Sequence, residues 1–103
     1  MLKTSIIIAT DNREQDLKEC LVSLFKQSIA PFEIIIAHSE NRYEILKLSE
    51  DIKAMNKPSA EIKYLNCLKY GAARKRNIAA DVACGDILLF LDDDVICEDF
   101  FLK

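Results

Sequence analysis

Several features that would each announce a function are missing from this sequence. Four cysteines are present, Cys20, Cys67, Cys84 and Cys97, but no C-x-x-C pair. Their scatter excludes a zinc ribbon or a dithiol redox motif and leaves buried free thiols as the expectation, with an exposed reactive thiol as the alternative. There is no basic excess: 14 Lys and Arg against 17 Asp and Glu give a net charge of -3. No global positive field draws nucleic acid or anionic lipid, so nucleic acid is not an expected partner. No apolar run approaches the ~20 residues of a membrane span. The apolar stretch near the amino terminus is about five residues, below the roughly 7 to 15 of a signal peptide, and reads as a first strand of a cytoplasmic protein. Glycine and proline are scarce, at two each, and histidine occurs once.

The remaining composition, 50% hydrophobic and 30% charged in 103 residues, is that of an ordinary globular domain. A chain of this length buries roughly two thirds of its unfolded surface, enough for one core. Residues 1–103 are therefore read as a single domain.

What is present alternates in period. Ser5 to Ala9 (SIIIA) is a β-branched run that suits a strand buried on both faces of a parallel sheet. From Glu14 the apolar residues Leu17, Leu21, Leu24 and Phe25, with Cys20, fall at helical spacing, and Asn12 with Gln15 forms a capping-box pair. Phe32 to Ala37 reads as a second strand. Asn41 with Glu44 opens a helix to about Met55, and Glu61 to Leu65 is a weaker strand. Ala72 to Ala83 is an alanine-rich helix with Gly85 expected as its terminating glycine, and Ile87 to Leu91 is a strongly apolar strand. About four strands alternating with helices imply βαβ units and a mostly parallel, doubly wound α/β sheet with helices on both faces.

In open parallel sheets, ligands bind beyond the carboxyl ends of the strands, where strand order reverses. The segments there are Thr10 to Arg13, His38 to Asn41, Asn66 with Cys67, and Asp92 to Asp94. Thr10 to Arg13 contains no glycine, which counts against the G-x-G-x-x-G loop of a dinucleotide dehydrogenase. Three successive aspartates after an apolar strand repel one another unless a cation or a set of donors neutralises them. Mg²⁺ or Mn²⁺ held by carboxylate and phosphate oxygens would do so, while solvated loop aspartates are the plainer alternative. Gly71 to Asn77 opens a helix with arginines beside its amino terminus, which suits either phosphate binding or an exposed basic face.

The ordered series Ser5 to Arg13, Cys20 to Leu24 with Gln27, Phe32 to Ile36, Gly71 to Asn77 and Gly85 to Asp94 resembles the N-terminal, nucleotide-sugar-binding half of family 2 glycosyltransferases of the GT-A fold. The resemblance covers nearly the whole chain. It implies that the first strand lies beside the last, with Thr10 and Asp92 on opposite lips of one crevice. It also implies a D-x-D motif at Asp92 and Asp94 with Asp93 between them. Asp94, with Asp92, would bind the metal, Mn²⁺ or Mg²⁺, and Asp92 and Asp93 would face the donor. Arg76 and Asn77 match positions near the donor diphosphate, and Thr10, Asn12 and Arg13 would contact the nucleotide. Where the family usually carries an aspartate pair that meets the base, this chain has His38 and Ser39, so the acceptor character of a carboxylate is absent there. A loop histidine without a ligand role is the alternative for His38.

The implied reaction is transfer of a sugar from a nucleoside diphosphate sugar to an acceptor glycan, lipid or other hydroxyl, with inversion. The family's general base belongs to the C-terminal half. Of the residues after Asp94, Glu98 and Asp99 are not at its place, so the chain is expected to be truncated before the acceptor-binding half. Phe100, Phe101 and Leu102 then need cover, from another domain or from a second copy. A non-catalytic truncated fragment of such a transferase, either nucleotide- or metal-binding or self-associating, is the alternative function.

Overall fold

The computed structural model describes residues 2–10, 14–25, 31–39, 42–55, 61–67 and 71–92. Strands and helices alternate strictly: β1 (Thr4–Ala9), α1 (Glu14–Phe25), β2 (Glu33–His38), α2 (Arg42–Met55), β3 (Glu61–Asn66), α3 (Ala72–Val82) and β4 (Ile87–Asp92). The four strands form one sheet in the order β3-β2-β1-β4, and every neighbouring pair is parallel. The chain moves outward from β1 through β2 to β3, then returns to the other side of β1 for β4. This is the doubly wound α/β arrangement expected, with the reversal of order beside β1.

Register explains why one sequence supplies two cores. Ile6 and Ile8 face α1 and α2, and pack with Leu17, Cys20, Leu21, Leu24, Ile34, Ile36, Leu48 and Ile52. Ile7, one residue out of phase, joins Ile35, Ala37, Cys67 and Ala79 on the α3 side. The helical stripe of α1 is the one its spacing predicts. Each fully buried Ile or Leu contributes about 1.5–3 kcal/mol. The wholly buried β2 and the buried centre of β1 therefore anchor the sheet, whereas β3 and β4 are partly exposed throughout. On β4, Ile87, Leu88 and Phe90 remain exposed among the described residues, so the most apolar strand of the sequence is an edge strand here.

At the amino edge, the wholly buried carboxylate of Glu33 accepts hydrogen bonds from Ser5 Oγ and from the backbone N–H of Cys84, both at 2.6 Å. Lys63 Nζ lies 2.6 Å from its other oxygen. The Gly85 N–H donates to Ser5 Oγ at 2.8 Å, and Lys3 exchanges bonds with Asp86 across the same edge. Burial pushes the Glu33 carboxyl up, but the bonds from Lys63, Ser5 and Cys84 outweigh it and hold the group below its usual range.

Two expectations change. Gly85 does not terminate α3 in a left-handed turn: the helix closes at Ala83, which is extended (φ -69, ψ 137). Glycine is required there because a Cβ at position 85 would press on Ser5 Oγ and come within 2.8 Å of the Ser5 nitrogen and 2.9 Å of the Lys3 carbonyl oxygen. The thiols divide as well: Cys20 and Cys67 are buried, but Cys84 is exposed, its Sγ 3.8 Å from Lys63 Nζ. Asn12 and Asn41, the expected capping residues, lie outside the described residues, as do Cys97 and the Phe100 to Leu102 end.

Candidate functional site

The carboxyl ends of the strands are drawn level by the register. Ala9 at the end of β1 pairs with Asp92 on β4 and with Ala37 on β2, and His38 pairs with Asn66. The ladder runs one step further on each side, through Thr10 N–H to Ala37 O at 2.9 Å and Cys67 N–H to His38 O at 2.8 Å. Thr10 and Asp92 are thereby brought close together at the carboxyl edge, where the strand order reverses.

Helix α3 supplies the cations. Gly71 is its N-cap, in extended conformation with open space around it, and no side chain caps the first turn. The helix packs along β1 and β2 by Ala79 and Ile78. One turn earlier, Lys75 sits on the same inward stripe and is only 3% exposed. Its Nζ donates to the Thr10 carbonyl at 2.9 Å and to Ser39 Oγ at 2.5 Å. Arg76 turns toward β4 instead, with Nη2 3.0 Å from Asp92 Oδ1. That pair is well exposed, and such pairs stabilise a fold by less than about 1 kcal/mol. Its consequence is positional: guanidinium and carboxylate are held side by side at the carboxyl edge of the sheet.

His38 is no loop residue. It closes β2 and is 3% exposed, with its carbonyl engaged by Cys67. Beside it, burial pushes the Cys67 thiol up while the Lys75 charge pulls it down. Asn77 is exposed on α3, and among the described residues its side chain makes no hydrogen bond with the other candidates. Asn12, Arg13, Asp93 and Asp94 lie outside the described residues. Among the described residues, no group of three or more His, Cys, Asp and Glu side chains is placed to hold a metal ion, and no helix is long and apolar enough to cross a membrane.

Lys75 is the residue that sequence reasoning missed. It was one cation in a basic helix opening, whereas the positions of Ile78 and Ala79, three and four residues on, mark its face as the buried one.

A doubly wound sheet with a cation-bearing helix and a carboxylate at its switch point defines an α/β protein of the class whose ligands bind at the carboxyl edge of the sheet. The sequence model described as Glycosyl transferase family 2 matches residues 5–103, and the chain belongs to that family. It is 32% identical over 96 residues to the poly(ribitol-phosphate) beta-N-acetylglucosaminyltransferase TarS of Staphylococcus aureus, a match that covers 91% of this chain and 16% of TarS. It is 35% identical over 101 residues to the uncharacterized glycosyltransferase YwdF of Bacillus subtilis, covering 97% of this chain and 34% of YwdF. Among solved structures, S. aureus TarS 1-349 in complex with UDP-GlcNAc superposes with a TM-score of 0.69 at 28% identity, over 90% of this chain and 27% of that one. The mannosyltransferase PcManGT of Pyrobaculum calidifontis, in complex with GDP-Man and Mn²⁺, gives a TM-score of 0.77 at 17% identity, over 96% and 29% of the two chains, and shares the fold. The chain thus spans about a third or less of each of these proteins.

Proposed function

We propose that this chain is the donor-binding part of an inverting glycosyltransferase, holding a nucleoside diphosphate sugar at the carboxyl edge of the sheet for transfer to a glycan, lipid or other hydroxyl. The observation that carries this reading is the convergence of Thr10, Lys75, Arg76 and Asp92 on the reversal of strand order, in a chain that belongs to family 2. The nucleotide sugars bound by TarS and PcManGT support a donor of that class.

In this reading Thr10, with Asn12 and Arg13, contacts the nucleotide and His38 lies at the base. Arg76 and Asn77 face the diphosphate, and Asp92 and Asp93 face the ribose and sugar side. A divalent ion, Mn²⁺ or Mg²⁺, belongs with Asp92 and Asp94. The described part of that set fits it: Asp92 is an exposed carboxylate at a strand tip, a hard oxygen donor of the kind such ions take. When bound, the ion would supply neutralisation of charge on the departing diphosphate. The Arg76 guanidinium does the same from the protein side, by charge-assisted hydrogen bonds to phosphate oxygens. The attacking hydroxyl needs a base within hydrogen-bond reach. Asp92 is the one carboxylate among the described residues of this edge, and Arg76 engages it.

Calorimetric titration with UDP and GDP, with and without Mn²⁺, tests the reading. Metal-dependent binding is expected, weakened at least about tenfold in Asp94→Ala, as the loss of a charged ligand requires. Absence of binding by either nucleotide, with metal present, would overturn it.

A further inference from the structure

The amino edge of the sheet groups three side chains that the donor site does not use. Cys84 is exposed in the turn before β4, whereas Cys20 and Cys67 are buried. Its Sγ donates to the Val82 carbonyl at 3.7 Å and accepts from Lys63 Nζ at 3.8 Å. On its other side Nζ lies 2.6 Å from Glu33 Oε1, in a carboxylate that is wholly buried and fixed by Ser5 Oγ and the Cys84 N–H. The lysine nitrogen thus stands between a sulfur at the surface and a carboxylate in the core.

Exposure decides which thiol an oxidant meets. A hydroperoxide takes a thiol to the sulfenic acid: the O–O bond breaks, sulfur loses two electrons and gains one oxygen, and the other oxygen leaves as water or an alcohol. A sulfenic acid then condenses with a nitrogen in reach to give a sulfenamide. For Cys84 that nitrogen is Lys63 Nζ. It is an ammonium, and the bond to Glu33 holds it above its usual range, so water does not strip its proton near neutrality. Glu33 offers the route. Transfer from Nζ to Oε1 converts a buried ion pair into a neutral amine and a neutral acid, a state that burial favours.

We propose that Lys63 and Cys84 form a reversible covalent crosslink, a sulfenamide made when a hydroperoxide oxidises the thiol. The Nζ lone pair attacks Sγ and the S–O bond breaks. Of the three ammonium protons, one goes to Glu33, one leaves with the hydroxide as water, and one stays on nitrogen. The bond joins β3 to a position 21 residues on and closes a loop around α3, the helix that carries Lys75 and Arg76. A thiol reductant reverses it: two electrons cleave S–N and restore thiol and amine while the reductant becomes a disulfide.

The test treats the full chain with a small excess of hydrogen peroxide, in wild type, Lys63→Arg and Cys84→Ser, with thermal melts to establish that each is folded. Tryptic peptides are then mapped by mass spectrometry. Wild type should lose two hydrogens, resist cleavage after Lys63, and yield a peptide containing Lys63 joined to the one containing Cys84. Dithiothreitol should restore the original map. Lys63→Arg keeps a cation beside Glu33 but supplies no amine, so the crosslink should be lost completely and Cys84 should carry added oxygen instead. Cys84→Ser, at an exposed position, should lose it as well. Wild-type Cys84 that gains only oxygen or pairs with another cysteine, with Lys63 still cleaved by trypsin, would overturn the proposal. None of these readouts involves a nucleotide, so the outcome is independent of the donor-site reading.

Discussion

At the amino edge of the sheet a buried carboxylate, Glu33, meets two hydrogen-bond donors and the charge of Lys63. At the carboxyl edge a buried ammonium, Lys75, meets only neutral oxygens among the described residues. The first is an electrostatically closed unit that joins β1, β2, β3 and the turn before β4. The second keeps positive charge beside an exposed guanidinium at the mouth of a crevice. Under the proposed function, the difference separates the part of the fold organised to remain assembled from the part that would receive an anionic ligand. Substitutions at one edge should therefore move stability and leave binding alone, and substitutions at the other should do the reverse.

The largest effect should come from Glu33→Ala. It strands the Ser5 hydroxyl, the Cys84 N–H and the Lys63 charge at once, and should cost about 3 kcal/mol in urea unfolding. The effect is pH-dependent with a definite sign. The Glu33 carboxyl sits below its ordinary value of 4.5 in the folded chain, so ionisation favours folding. Its contribution is complete above that ordinary value and is lost as the pH falls through the lowered folded one. Wild type should therefore lose stability more steeply than Glu33→Gln as acid is added below about pH 4.5. Parallel acid profiles for the two would contradict the assignment of Glu33 as the ionised centre of this edge.

Gly85→Ala comes next, at about 2 kcal/mol, the usual scale for forcing a methyl into a packed site. Its Cβ meets backbone atoms of Ser5 and Lys3 that cannot rotate away. The melting temperature should drop while nucleotide affinity, measured below the transition, stays constant. A helix-terminating role would predict fraying of α3 instead, visible as faster amide exchange near Ala80 and Val82 without displacement of β1.

The order of elements was legible because each carries its own period: the isoleucines of β1 and β2 and the stripe of Leu17, Leu21 and Leu24 need no partner to be recognised. Placement of β4 beside β1 followed from family resemblance. What was not legible were long-range pairings between residues that look ordinary alone. Glu33 reads as a polar residue opening a strand, and only the parallel register sets it against Ser5, with Lys63 reaching it from two residues beyond its β3 partner Glu61. Gly85 reads as a cap, because its contact with β1 lies 80 residues back along the chain. Lys75 reads as one cation of three, because burial on α3 depends on how that helix rolls against β1 and β2.

Arg76→Ala should change stability least and distinguish the edges most sharply. Its pair with Asp92 is open to water, with side-chain exposures of 37% and 66%, so the lost Coulomb attraction is screened and the stability change should stay within about 0.5 kcal/mol. Nucleotide affinity should nonetheless drop about tenfold, because a guanidinium that is weakly bound to its own carboxylate remains available to phosphate. Added salt should shrink the gap between wild type and Arg76→Ala, since the interaction is made in an accessible crevice within one Debye length of bulk ions. If Arg76→Ala instead unfolded the chain as Glu33→Ala should, the carboxyl edge would be as closed a unit as the amino edge, and the division of labour between them would fail.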